Sequence, residues 1–235
     1  MKAPPFSYSS LSQFITCPAQ YAAHKVLKYV EHTDTVATLY GKDVHSAAEH
    51  YIRSGTVLPE KYQYVKSSLD ILNSIKGDKF CELELGIALC NGQYELCDFN
   101  DDDRYYRGIA DLVIIDEEAG KGYLCDYKTG KSAKYADTKQ LGLLAAAIFL
   151  KWPNIKVIKG MLLYVVSKEI IKESYTYEER FKIFEKLHWP LKQREVAYET
   201  GIFNPKPNGL CGKWCMATRC PHNGRYKQEE LENAL

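Results

Sequence analysis

The residues best suited to chemistry lie in two short segments, Gly108-Ile109-Ala110-Asp111 and Asp126-Tyr127-Lys128-Thr129-Gly130. Tyr105 to Asp116 and Tyr123 to Lys128 are rich in Val, Ile, Leu and Tyr, with turn-forming residues from Glu117 to Gly122 between them, so both read as strands. Side chains alternate along a strand, which points Asp126 and Lys128 the same way. Pairing of the two runs as a hairpin sets Asp111 beside Asp126. Two carboxylates hold a hard divalent cation through oxygen, and an ammonium steadies charge or a water near a scissile phosphate.

The surrounding elements must position these groups. Residues 9–31 read as a helix with Ser9 or Ser10 as N-cap, and Thr38 to Arg53 as a second. On the second, Lys42, Ser46, Glu49 and Arg53 form a polar stripe, whereas His45 shares a less polar one with Gly41, Ala48 and Ile52. His45 therefore faces inward, where it pairs with the downstream acids as a metal ligand. Residues 60–76 read as helical. Phe80 to Leu89 is a strand with Glu82 and Glu84 on one face, and Asn91-Gly92 turns it into Gln93 to Phe99. A buried helix is expected over Tyr135 to Lys151, with Gln140 near its start. A strand follows over Lys156 to Val166, and a charged amphipathic helix over Tyr177 to Tyr198. This order predicts an α/β (α+β) fold, a central mixed sheet flanked by helices, in a single domain over 1–235.

The 235 residues suffice for a full core, and 46% hydrophobic with 26% charged residues is ordinary for a globular protein. The first residues carry no apolar signal-peptide core, and the longest apolar stretch, Leu141 to Leu150, is too short to span a bilayer. The expectation is a cytoplasmic protein with reduced thiols and no membrane partner. Of the eight cysteines, Cys81, Cys90, Cys97 and Cys125 sit in apolar, strand-like surroundings and read as small buried hydrophobes. Cys17 and the trio Cys211, Cys215 and Cys220 remain as ligand candidates. A net charge of +1 announces no nucleic-acid binder. Local basic groups exist at Lys131, Lys134 and Lys139, and at Lys206, Lys213, Arg219, Arg225 and Lys227.

Gly41-Lys-Asp-Val-His45, Gly108-Ile-Ala-Asp111, Asp126-Tyr-Lys128-Thr-Gly and Gln140-Leu141 occur in the order found in RecB-like PD-(D/E)XK nucleases, which the chain resembles over nearly its whole length. Ser7 to Leu11 leading to Cys17-Pro18, with Cys211, Cys215 and Cys220-Pro221 near the end, resembles the iron–sulfur subgroup. That subgroup includes the AddB nuclease domain, CRISPR-associated small exonucleases and stand-alone phage exonucleases. The resemblance implies a restriction-endonuclease-like core with chain ends joined by a cysteine metal cluster, residues 1–35 and 200–225 forming that subregion.

The resemblance further implies a Mg²⁺- or Mn²⁺-dependent deoxyribonuclease. It would be a single-strand-preferring exonuclease acting in recombination, repair or phage DNA metabolism, in a prokaryotic cell or phage-infected host. His45, Asp111, Asp126 and the backbone carbonyl of Tyr127 would hold the metal, with Glu84 as a weaker candidate whose face Glu82 shares. Lys128 would orient the attacking water or stabilise the transition state, and Gln140 would support the site. Cys17, Cys211, Cys215 and Cys220 would bind a [4Fe-4S] cluster, with Zn²⁺ as the alternative. The spacing departs from the family pattern, since three residues rather than two separate Cys211 from Cys215. DNA is the implied partner, together with a helicase or recombination protein, because the chain carries no Walker A loop. The alternative function is a non-catalytic DNA-binding or partner-docking module on the same fold.

Overall fold

A computed structural model describes residues 1–31 and 33–225; Lys227 of the C-terminal basic group lies outside them. In chain order the elements begin with α1 (Tyr8–Thr16), α2 (Pro18–Lys25), α3 (Val36–Ser54), a 3-10 turn (Glu60–Val65) and α4 (Lys66–Ser74). Strands β1 (Asp78–Cys90), β2 (Gln93–Cys97), β3 (Arg104–Asp116) and β4 (Lys121–Lys128) follow. The chain continues through α5 (Lys139–Lys151), β5 (Val157–Tyr164), β6 (Glu169–Thr176), α6 (Lys182–Lys186) and α7 (His188–Thr200). It divides into two compact units, one of residues 34–185 and one built from both ends, 1–33 with 186–235.

The middle unit is a mixed six-stranded sheet of order β2-β1-β3-β4-β5-β6. All neighbours are antiparallel except β4 and β5, which run parallel with α5 as their crossover. Leu141 to Phe149 of α5 are all buried, as the unbroken apolar run requires. Val44, Ala48 and Ile52 of α3 and Leu69 and Leu72 of α4 pack with Cys81, Leu112, Ile114, Cys125 and Tyr127 of the sheet. Asn91 and Gly92 both adopt positive φ in the β1–β2 turn, the conformation that an Asn-Gly hairpin demands.

The terminal unit ties the two chain ends together. Arg194 of α7 is buried and donates to the Pro4 carbonyl at 2.7 Å and to Tyr21 Oη at 3.3 Å. The Tyr21 and Tyr198 hydroxyls meet at 2.9 Å, and the N-terminal ammonium donates to the Tyr198 carbonyl at 3.0 Å.

The structure differs from the sequence expectation in several places. The single helix over 9–31 is two helices, because Cys17 is extended (φ −163°) ahead of Pro18, which opens α2. The N-cap of α1 is Ser7, in a reciprocal capping box with Ser10. The helix expected over 177–198 is broken into α6 and α7. Strand β6 has no counterpart in the sequence pattern: as an edge strand it is largely exposed, and its residues Glu169 to Thr176 lack the apolar alternation that marks a half-buried strand. Of the cysteines read as buried, Cys81 and Cys125 are, whereas Cys90 and Cys97 on the β1–β2 hairpin are half-buried.

Candidate metal centre and cysteine region

The β3–β4 ladder runs from Asp116 opposite Lys121 to Leu112 opposite Cys125. One step further, the Asp111 side chain takes over as acceptor: Tyr127 N–H donates to its Oδ2 at 2.6 Å. Helix α3 brings His45 to the same place. Its Nδ1 lies 3.4 Å from Asp111 Oδ1, and its Nε2 lies 3.0 Å from the Tyr127 carbonyl oxygen. The approach is close, since a β-carbon on Gly41, one turn earlier on α3, would lie 3.4 Å from Thr129 Oγ1.

Glu82 completes this group. Ligand atoms of His45, Glu82 and Asp111 all lie within 4.8 Å of one another. Leu83 pairs with Ala110 and Cys81 with Leu112, so Glu82 falls opposite Asp111 in register. Glu82 has φ +50°, a left-handed conformation that interrupts the strand's alternation. Arg53 donates to the preceding carbonyl, that of Cys81, at 2.8 Å and pairs with Glu49 at 2.8 Å. Glu84, the sequence candidate, instead lines a separate cleft with Asp98, Asp101 and Lys151. The kink at Glu82 is the physical reason that the two glutamates part. No sequence signal announced it beyond the register itself.

Asp126 and Lys128 project together from β4. Lys128 Nζ lies 2.5 Å from Asp126 Oδ2 and 3.4 Å from Gln140 Oε1 at the start of α5. The buried Asp126 Oδ2 thus has the Lys128 ammonium as its close charged partner.

The electrostatics are those of crowded acids. Burial, then the neighbouring Asp111 charge, pushes the Asp126 carboxyl up to about 6, against the pull of Lys128. Burial and Asp111 also raise Glu82, which His45 and Arg53 only partly offset. Burial lowers His45, but Asp111, Asp126 and Glu82 outweigh it and leave the imidazole above its ordinary value. Protonated, it can donate from both nitrogens, to Asp111 and to the Tyr127 carbonyl. Two carboxylates and an imidazole converging on one point, with a third carboxyl, Asp126, held above its usual range by burial and the Asp111 charge, is a donor set that a divalent cation fits.

The cysteine candidates lie in the terminal unit. The backbone amide of Lys206 donates to Cys17 Sγ and that of Asn208 to Cys211 Sγ, each at 3.4 Å. Cys215 is buried with Ala23, Val30 and Ala217, and Cys220 packs against that cluster. None of the eight cysteines forms a disulfide.

Residues 5–74 match the family model described as the PD-(D/E)XK nuclease superfamily. That segment contains Cys17 and His45 but ends before Asp111, Asp126 and Lys128. A crystal structure titled "Putative exonuclease", from Eubacterium rectale, shares the fold at a TM-score of 0.51 and 13% identity, over 93% of this chain and 89% of that one. A second, titled "Crystal structure of SSO0001", gives a TM-score of 0.39 at 11% identity over 95% and 89% of the two chains. No curated protein matches the chain by sequence. The mixed α/β architecture with its six-stranded sheet is consistent with the PD-(D/E)XK superfamily.

Proposed function

We propose that the chain is a metal-dependent DNA nuclease of the PD-(D/E)XK type, and specifically an exonuclease that prefers single strands with a free end. The observation that carries this reading is the convergence of His45, Glu82 and Asp111 beside the Asp126–Lys128 pair on the sheet of this fold. His45, Glu82, Asp111 and Asp126 would hold Mg²⁺ or Mn²⁺, and the Tyr127 carbonyl becomes available once His45 releases it. The bound cation supplies Lewis acidity and a lowered water pKa. Lys128 carries the positive charge that meets the developing charge on phosphate, and its contacts to Asp126 and Gln140 keep the ammonium in place.

For the cysteines, the proposal is a [4Fe-4S] cluster on Cys17, Cys211, Cys215 and Cys220. Amide N–H donors to Cys17 and Cys211 support it, because such donors stabilise thiolate ligands. A cytoplasmic setting suits cysteines that form no disulfide, and a helicase or recombination protein would supply unwinding. The deciding experiment offers end-labelled linear and circular single strands, and linear duplex, with Mg²⁺ or Mn²⁺. Linear single strands should be degraded from an end and circles spared. Circles cut as fast as linear strands would make the enzyme an endonuclease, and no cutting of any substrate would end the nuclease reading.

A further inference from the structure

We infer that the terminal unit carries its own binding site for single-stranded DNA, in the cleft between α1 and α7; the choice of DNA as occupant rests on the nuclease reading above. The cleft measures about 690 Å³, within the range of ligand-binding clefts. Trp189, in the first turn of α7, lines it and is 72% exposed. An indole is the largest apolar side chain, and leaving it in water forfeits its burial energy unless something covers it. Lys192 and Lys206 stand on the same cleft with the amides of Gln193 and Asn204, and among the described residues no acidic side chain lines it. Lys206 Nζ rests on the Ile15 carbonyl at 3.0 Å, and Lys192 reaches Glu195 at 3.3 Å, an exposed pair that competes only weakly with phosphate.

The charge of the unit points to the same occupant. Among the described residues, those in 1–33 and 186–225 hold 10 lysines and arginines against 3 acids, whereas residues 34–185 hold 20 against 24. The near-neutral whole conceals a basic unit, the electrostatic footprint of a nucleic-acid binder. Trp214, 76% exposed next to Lys213, repeats the pairing of open indole and cation within this unit. An indole gives a sequence-tolerant stacking face for an unpaired base, and lysines track the phosphates, which is how proteins hold single strands. Duplex DNA, with its bases stacked inward, offers nothing to Trp189.

The test is fluorescence anisotropy of a labelled 20-nucleotide oligo(dT) with the full chain in chelator, so that no strand is cut. Trp189→Ala should weaken binding roughly 5- to 100-fold. Lys192→Glu should also weaken it and flatten the salt dependence by roughly 0.7 for each phosphate the variant no longer neutralises. Circular dichroism should show both variants folded, since the two side chains are exposed. Blunt duplex should bind more weakly than the single strand and be indifferent to Trp189→Ala. Wild-type affinity in Trp189→Ala, or a Trp189-dependent self-association in sedimentation with no effect on oligonucleotide, overturns the site. Binding that depends on Trp189 in a chain that never cuts DNA would instead sink the nuclease reading and leave the site standing.

Discussion

Asp111 accepts the Tyr127 amide and faces His45, so its loss removes a ligand and loosens the β4 end at once. Asp111→Ala and Asp126→Ala should abolish cleavage of labelled DNA while circular dichroism stays native. Lys128→Ala should slow it roughly 100- to 1000-fold, the usual loss for one transition-state contact. Full activity in Asp126→Ala would remove that residue from the site. Glu82→Gln should weaken Mn²⁺ binding in calorimetry, and Glu84→Gln should leave it unchanged. The reverse result would return Glu84 to the site. The pH dependence has a definite sign. Asp126 and Glu82 have raised values, so the folded chain holds their protons more tightly than the unfolded chain; stability from Asp126 falls as pH rises toward about 6, and that from Glu82 falls as pH climbs from the ordinary carboxylate range through its folded value. His45, also raised, contributes stability below its ordinary range that is lost as pH climbs through its folded value. A metal ion needs all three deprotonated and repels the protons it replaces. The rise in Tm on adding Mn²⁺ should therefore grow from about pH 5 to about pH 8. A shift of equal size at both would separate these groups from the metal.

At the scale of elements, the meeting of β3 with α5 is the tightest fit around the site. A β-carbon at Gly108 would collide with the Tyr106 phenol and with Leu144 of α5. Both neighbours are fully buried, so neither has room to yield. Gly108→Ala should cost roughly 1–3 kcal/mol in urea unfolding, as overpacking of a dense core does. Tyr106→Phe removes the nearest of the atoms in the way, so the double variant should lose less than the sum of the two single changes. Strict additivity would mean that the clash is relieved by backbone movement instead. Glu82 is the complementary case, a non-glycine residue held left-handed within a strand. Glu82→Gly should be tolerated or stabilising in the fold even as it removes the ligand, because glycine adopts that conformation without strain.

For the whole molecule, the consequential feature is that residues nearly two hundred positions apart share one unit. Cys17 and the Lys206 amide are in contact, as are Arg194 and Pro4. A cluster bridging these ends would close a very long loop and limit the unfolded chain accordingly. Protein prepared without oxygen should carry about four irons per chain. Cys17→Ala should lose the iron and colour as fully as Cys215→Ala, with thermal unfolding of the terminal unit shifted down. Stoichiometric zinc without iron would replace the cluster with the rival metal.

Much of the fold was legible because it rests on local rules. The wholly apolar run from Leu141 to Phe149 had to be a buried helix, and Asn91-Gly92 had to turn a hairpin. The period of a strand, by itself, put Asp126 and Lys128 on one side, and the period of a helix turned His45 inward. What lay beyond the sequence depends on contacts between elements. Glu82 rather than Glu84 joins His45 and Asp111 because one backbone angle leaves the strand's range, next to a carbonyl that Arg53 from another element hydrogen-bonds. Strand β6 was invisible because an edge strand is specified by its hydrogen-bonding neighbour more than by its own apolar pattern. The segregation of charge could not be seen in a net of +1, since charge adds along a chain regardless of place. Only folding, which gathers residues 1–33 with 186–235, decides which charges act together.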